Sequence, residues 1–322
     1  MLEYLLIPAG AFAVTYLLTP GLAKKLAEAG ISGKDMNKEG NPEVPEMGGL
    51  AITAGFVAGV LLGIGLISFE MTTATVGLKY ILAALSTVLI MTLIGVIDDL
   101  IMVKQHVKAA LPLLAALPLM AVKAGTTVMT LPLLGEVNFG IFYVFVLIPI
   151  AITGASNAMN MLAGFNGLEA GLGMIMCLSI AIVSFITGST SALIISTAML
   201  GALIGFIRYN WYPAKTLIGD VGTLTIGAVV ASSVLIGNIE KAGIILIIPF
   251  FLELVLKMRG RFKAQSWCDV RGKKLVCQDR NEIYGWGRLV MYLSKGIGER
   301  NLVLTILAVE ALFGAAAVVS FL

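Results

Sequence analysis

The chain has 322 residues, of which 58% are hydrophobic and 13% charged, with a formal net charge of +3. Its mean hydropathy is +0.97. Soluble domains carry about 25% charged residues, so this composition excludes a soluble globular protein, and no nucleic-acid polymer is expected as a partner.

Apolar runs near the spanning length of about 20 residues recur along the chain. They predict an all-α integral membrane protein with ten spans, roughly 2–21, 49–68, 78–97, 109–124, 141–160, 171–188, 190–207, 222–237, 241–257 and 301–321. The whole of 1–322 reads as one polytopic domain, with a large loop at about 258–300. The first span runs into Lys24 and Lys25 with no small-residue cleavage site, so it reads as a retained helix and not a signal peptide. The loop behind it holds Asp35-Met-Asn-Lys38 and Val44-Pro-Glu-Met-Gly-Gly49, with Glu46 beside the second span.

The third span ends in Asp98 and Asp99. Adjacent carboxylates repel at a helix end, and a divalent cation or a cationic side chain would relieve that repulsion. On its own the pair could equally mark where the helix leaves the bilayer. Lys108 opens the fourth span and either faces the same pocket or snorkels to the interface. Thr126 to Gly140 alternates apolar residues around Gly135, which predicts a small hairpin.

Asn157 to Gly171 places Asn157, Asn160, Asn166 and Glu169 around Gly164 and Gly167 at the end of a span. Hydrocarbon offers no water to such groups, so the segment is costly unless it binds something polar or packs as a polar seam. Asn157 and Asn160 share a helix face. Amide oxygens can bind a hard cation, and amide nitrogens can donate to a base or phosphate. Gly219-Asp-Val-Gly-Thr223 sets Asp220 at a helix N-terminus, as a cap or as a ligand. Lys257-Met-Arg-Gly-Arg-Phe-Lys263 leaves the ninth span, and its arginines suit a pyrophosphate. A zinc site is disfavoured, since His106 is the one histidine and Cys268 and Cys277 lack C-x-x-C spacing.

Nineteen of the 22 basic residues fall in the loops after odd-numbered spans; Lys79, Lys123 and Lys241 are the exceptions. By the positive-inside rule those loops are cytoplasmic and both termini are outside. The polar clusters fall on that same face. A transporter would place such groups near the midplane and often repeat them between halves, and neither pattern is visible. Carboxylates suited to Mg²⁺, amides and arginines on one face suit a phosphorylated, nucleotide-like substrate that meets a lipid.

Asp35 to Gly49, Asp98-Asp99, Asn157 to Gly171, Tyr209 to Asp220 and Glu299-Arg-Asn-Leu302 together resemble the polyprenyl-phosphate N-acetylhexosamine-1-phosphate transferases, in particular the UDP-GlcNAc–dolichyl-phosphate branch of eukaryotes and archaea. The resemblance implies Mg²⁺-dependent transfer (Mn²⁺ as a substitute) of GlcNAc-1-phosphate from UDP-GlcNAc to a polyprenyl or dolichyl phosphate, with release of UMP. It places the active site at the cytoplasmic face of the cell membrane and points to an archaeal-type N-glycan pathway; a homodimer is left open. It also implies roles for residues of this chain. Asn160 and Asp220 match metal ligands, and Asp98 and Asp99 an acidic pair that activates the acceptor or places the metal. Lys108 matches a phosphate-binding lysine, and Asn166 a uracil-recognising amide. Arg259 and Arg261 match arginines near the pyrophosphate and sugar, and Glu46 a pocket carboxylate. Met102 stands where many members carry a third Asp or Asn, so it has no metal role. Gly260 stands where relatives often carry His, and the absence of a His-rich motif here argues against a peptidoglycan-type substrate. Direct attack by the lipid phosphate and a covalent aspartyl intermediate both fit the residues. The reading from another class is a carrier or flippase of a phosphorylated lipid or nucleotide sugar; a third keeps the chemistry with another N-acetylhexosamine.

Overall fold

The computed structural model describes residues 2–71, 77–101, 103–131, 135–262, 266–267 and 269–322. Met102, Lys263 and Cys268, singled out above, lie outside the described residues. The chain runs through α1 (Leu6–Glu28), α2 (Gly49–Ser68) and α3 (Leu78–Ile101). The expected fourth span is instead three short helices, α4 (Gln105–Ala110), α5 (Pro112–Ala115) and α6 (Leu117–Ala121). Pro112 and Pro118 have no N–H to donate to the preceding turn, so each restarts the helix. A wide π turn at Tyr143–Leu147 leads into α7 (Ile148–Met161). Then follow α8 (Leu168–Thr187), α9 (Thr190–Asn210), α10 (Gly219–Gly237), α11 (Glu240–Arg259), α12 (Trp286–Leu293) and α13 (Glu299–Val319).

Among the described residues, eight helices are long and apolar enough to cross a membrane. They correspond to the expected spans other than the fourth and ninth. The ninth, α11, is an unbroken 20-residue helix, but Glu240, Lys241, Glu253, Lys257 and Arg259 make it more polar than the rest.

The bundle is built around α10. Every residue from Val221 to Gly237 is buried, and the helix packs against α2, α3, α7, α8, α9 and α11. Lipid tails are as apolar as leucine, so helices in a bilayer associate by close packing at small residues and by hydrogen bonds between helices. Both devices are present. A Cβ on Gly95 of α3 would stand 2.4 Å from the Val221 Cα, and one on Gly227 would stand 2.4 Å from the Ser156 Cα. The buried hydroxyls of Thr53, Thr92 and Thr225 join α2, α3 and α10, at 3.3 and 2.8 Å.

The connections after the odd-numbered expected spans meet at one end of this bundle. The first is a short hairpin of β1 (Ser32–Lys34) and β2 (Glu43–Pro45). Its Pro45 carbonyl accepts from the Leu217 N–H at 2.7 Å, and the Asn37 amide donates to the Gly164 carbonyl at 2.5 Å. At the other end lies the expected hairpin, β3 (Val128–Leu131) with β4 (Gly135–Asn138). Beyond α11, β5 (Asp269–Arg271) pairs with β6 (Lys274–Val276), and Leu275 bridges to Ile297. This loop is tied back to α11, where Glu253 accepts the Trp286 N–H at 2.6 Å and the Pro249 carbonyl accepts its indole N–H at 2.8 Å.

Candidate active site

The last turn of α3 directs its two carboxylates differently. Asp98 accepts the Val103 N–H at 3.0 Å and pairs with the Lys108 ammonium at 2.5 Å. Lys108 also pairs with Asp220. Burial depresses the ammonium, but the charges of Asp220 and Asp98 outweigh it and hold Lys108 protonated above its ordinary range. The Asn160 amide donates to the other oxygen of Asp220, and to the Thr223 hydroxyl at 3.0 Å. Asp98, Lys108, Asp220 and Asn160 therefore form one continuous chain of contacts that draws on three separate polar segments of the sequence.

Asp99 is arranged otherwise. One oxygen accepts the Asp220 N–H at 2.8 Å and the other the Val221 N–H at 3.0 Å. These are first-turn donors of α10, which have no partner within their own helix. Asp99 thus caps α10 from a neighbouring helix and holds Asp220 in place; both of its oxygens are engaged by backbone.

Beside this chain opens a cavity of about 500 Å³ lined by Gly33, Asp35, Glu46, Asn160, Gly164, Asn166, Glu169, Asp220, Lys257 and Trp267, among others. Gly167 enters α8 at φ +82°, with Trp211 so close that a Cβ would stand 2.6 Å from its ring, so glycine is required there. Glu169 reaches back to accept the Gly164 N–H at 2.6 Å and closes the turn. Glu46 faces the cavity with its carboxyl raised above the ordinary range, first by burial and then by the negative charge of Asp220. Asn157 does not line the cavity. Its amide donates to the carbonyls of Thr153 and Ala109, at 3.0 and 3.3 Å, and braces α4 against α7.

The sequence pattern of Glycosyl transferase family 4 matches residues 81–238, which hold Asp98, Lys108, Asn160 and Asp220. Over 99% of this chain and 96% of its own length, a Sulfolobus acidocaldarius protein is 36% identical; its provisional name is UDP-N-acetylglucosamine–dolichyl-phosphate N-acetylglucosaminephosphotransferase. A Saccharolobus solfataricus protein with the same provisional name is 35% identical over 96% of this chain and 94% of its own. A Dictyostelium discoideum protein named for that activity outright is 28% identical over 81% of this chain and 74% of its own. The chain belongs to glycosyl transferase family 4.

For a member of glycosyl transferase family 4, the fit of a divalent cation is decided by the donors present. Among the described residues no group of three or more His, Cys, Asp or Glu could hold a metal. Several oxygen donors line the cavity, the Asp220 carboxylate and the Asn160 amide side by side among them, with the carboxylates of Asp35, Glu46 and Glu169 also on the wall. An all-oxygen pair such as Asp220 and Asn160 suits Mg²⁺, which keeps several waters and takes substrate phosphates as its remaining ligands.

Arg259 and Arg261 do not line the cavity; both are exposed at the end of α11. The cations that do are Lys34 and Lys257, and Lys257 donates to the Ser266 hydroxyl at 3.1 Å and lies 3.6 Å from Glu253. Successive helical residues turn by about 100°, so positions 257 and 259 face nearly opposite ways. That phase was the available signal, and the basic run as a whole obscured it.

Proposed function

We propose that this chain transfers GlcNAc-1-phosphate from UDP-GlcNAc to a polyprenyl phosphate of the dolichyl type at the cytoplasmic face of the cell membrane, releasing UMP. The observation that carries the reading is the contact chain Asp98–Lys108–Asp220–Asn160 at the edge of a cavity large enough for a nucleotide. Family membership and the names of the relatives support the donor and the acceptor.

Asp220 and Asn160 would hold Mg²⁺, whose chemistry is to neutralise charge on the donor pyrophosphate. Lys108 does not line the cavity; paired with Asp220, it would hold that carboxylate ionised and in place, and would reach a phosphate oxygen only by leaving that pair. An acceptor phosphate is already ionised at neutral pH. One of its oxygens bonds to the β-phosphorus as the bond between that phosphorus and the UMP oxygen breaks, with no base needed. Direct attack is supported over an aspartyl intermediate because Asp99 is engaged through both oxygens and Asp98 is held by Lys108 and Val103, with neither lining the cavity. Positioning and charge compensation then dominate, as in phosphoryl transfer generally.

The test is UMP release from UDP-GlcNAc by the purified chain in lipid. Release that requires both a polyprenyl phosphate and Mg²⁺ is expected. Folded protein that releases nothing from any UDP-sugar would overturn the reading in favour of a carrier.

A further inference from the structure

The cavity wall is rich in carboxylates, with Asp35, Glu46, Glu169 and Asp220 all on it. An anionic ligand therefore needs protein cations there beside any metal. Lys108 is held between Asp98 and Asp220 and does not line the cavity. Among the described residues, the cations that line it are Lys34 and Lys257. Lys34, on β1, is exposed, and water and salt screen an exposed charge. The Lys257 side chain is 12% exposed, so its charge acts on a ligand with far less screening.

Two contacts place the Lys257 ammonium. Glu253, one turn earlier on the same face of α11 and 2% exposed, lies 3.6 Å away, beyond hydrogen-bond length. The Ser266 hydroxyl accepts from it at 3.1 Å. An ammonium carries three hydrogens, and Ser266 engages one of them. Glu253 is itself fixed, since its other oxygen accepts the Trp286 N–H at 2.6 Å. Ser266 rests on the turn after α7, where a Cβ on Gly164 would stand 3.7 Å from its Cβ. The ammonium is thus set against the turn that leads out from Asn160, with hydrogens to offer a ligand.

We infer that Lys257 is the protein cation that meets the phosphates of the bound nucleotide diphosphate, in place of Arg259 and Arg261. This rests on the proposed use of UDP-GlcNAc. Both arginines are exposed and outside the cavity. A shielded ammonium makes charge-assisted hydrogen bonds to phosphate oxygens, and low surrounding dielectric strengthens them. As a compact point charge it neutralises the phosphates without imposing the two-pronged geometry of a guanidinium.

The experiment is calorimetric binding of UDP, with Mg²⁺ present, to the full chain in detergent. The proteins are the wild type, Lys257→Met, Lys257→Arg and the double variant Arg259→Gln/Arg261→Gln, each with its thermal unfolding. Lys257→Met is expected to weaken UDP binding about tenfold or more. Lys257→Arg, which keeps the charge, should retain most of the affinity. The double variant should stay within about threefold of the wild type. A folded Lys257→Met protein that binds UDP as tightly as the wild type would overturn the inference alone. So would a folded double variant that loses more affinity than Lys257→Met. A folded wild type that neither binds UDP nor releases UMP from UDP-GlcNAc would overturn the donor reading, and the inference with it.

Discussion

Asp99 and Asp220 carry the same functional group and touch each other, yet only the loss of Asp220 is expected to strike turnover beyond its effect on stability. Asp220 faces the cavity; Asp99 faces two backbone N–H groups. Asp99→Asn keeps one acceptor and sets an amide N–H₂ against a donor. It should cost about 1–3 kcal/mol of stability, read as a lower Tm in detergent. Asp220→Asn sets an amide N–H₂ against the Lys108 ammonium or the Asn160 amide and should also lower the Tm, but in protein that still folds UMP release falls about a hundredfold or more. Glu46 gives a pH-dependent case. Its carboxyl is raised by burial and by Asp220, so the folded state binds its proton more tightly than the unfolded state does. Stability from this group is full below the unfolded value of about 4.3 and is lost as the pH rises through the folded value. Glu46→Gln should therefore melt higher than wild type at pH 8 in the presence of a chelator, with the gap closing at pH 4.

At the scale of elements, α10 sets the tolerance of the bundle. Gly227→Val would drive side-chain atoms into the Ser156 backbone, where a Cβ alone would stand 2.4 Å away. Overpacking of that kind costs about 1–3 kcal/mol or more, so thermal unfolding in detergent should fall well below wild type. Gly65, at the far end of α2 with nothing within 4 Å of a Cβ, is the control: Gly65→Ala should be neutral or slightly stabilising. The helices themselves were legible because hydropathy and length rarely mislead for long apolar runs. The fourth run misled because Pro112 and Pro118 interrupt an otherwise apolar stretch, and hydropathy does not register a missing N–H. Asn160 and Asp220 were legible as costly polar groups beside apolar spans. The cap by Asp99 was not, because it joins residues 121 positions apart, and no local pattern encodes such a contact.

Over the whole molecule, the gathering of five loops at one end gives the charge asymmetry a structural counterpart. Lys273 lies on the β5–β6 turn at that end, whereas Lys241 donates to the Ser320 carbonyl at the other, at 2.7 Å. Single cysteines at these two positions, in a background lacking the native thiols, should react with an impermeant thiol reagent from opposite sides, Lys273→Cys from the cytoplasm. Labelling of both from one side would refute the proposed orientation. The burial of α10 carries a further consequence. The helix that bears Asp220 meets other helices along its length and is buried from Val221 to Gly237. A bilayer that is too thick or too thin acts on a span through the chain's own contact with lipid, by tilting or bending it, and this span is shielded from that force. Turnover in vesicles of increasing acyl-chain length should hold nearly level while the outer helices tilt to absorb the mismatch, making this a catalyst insulated from the thickness of the membrane in which it works.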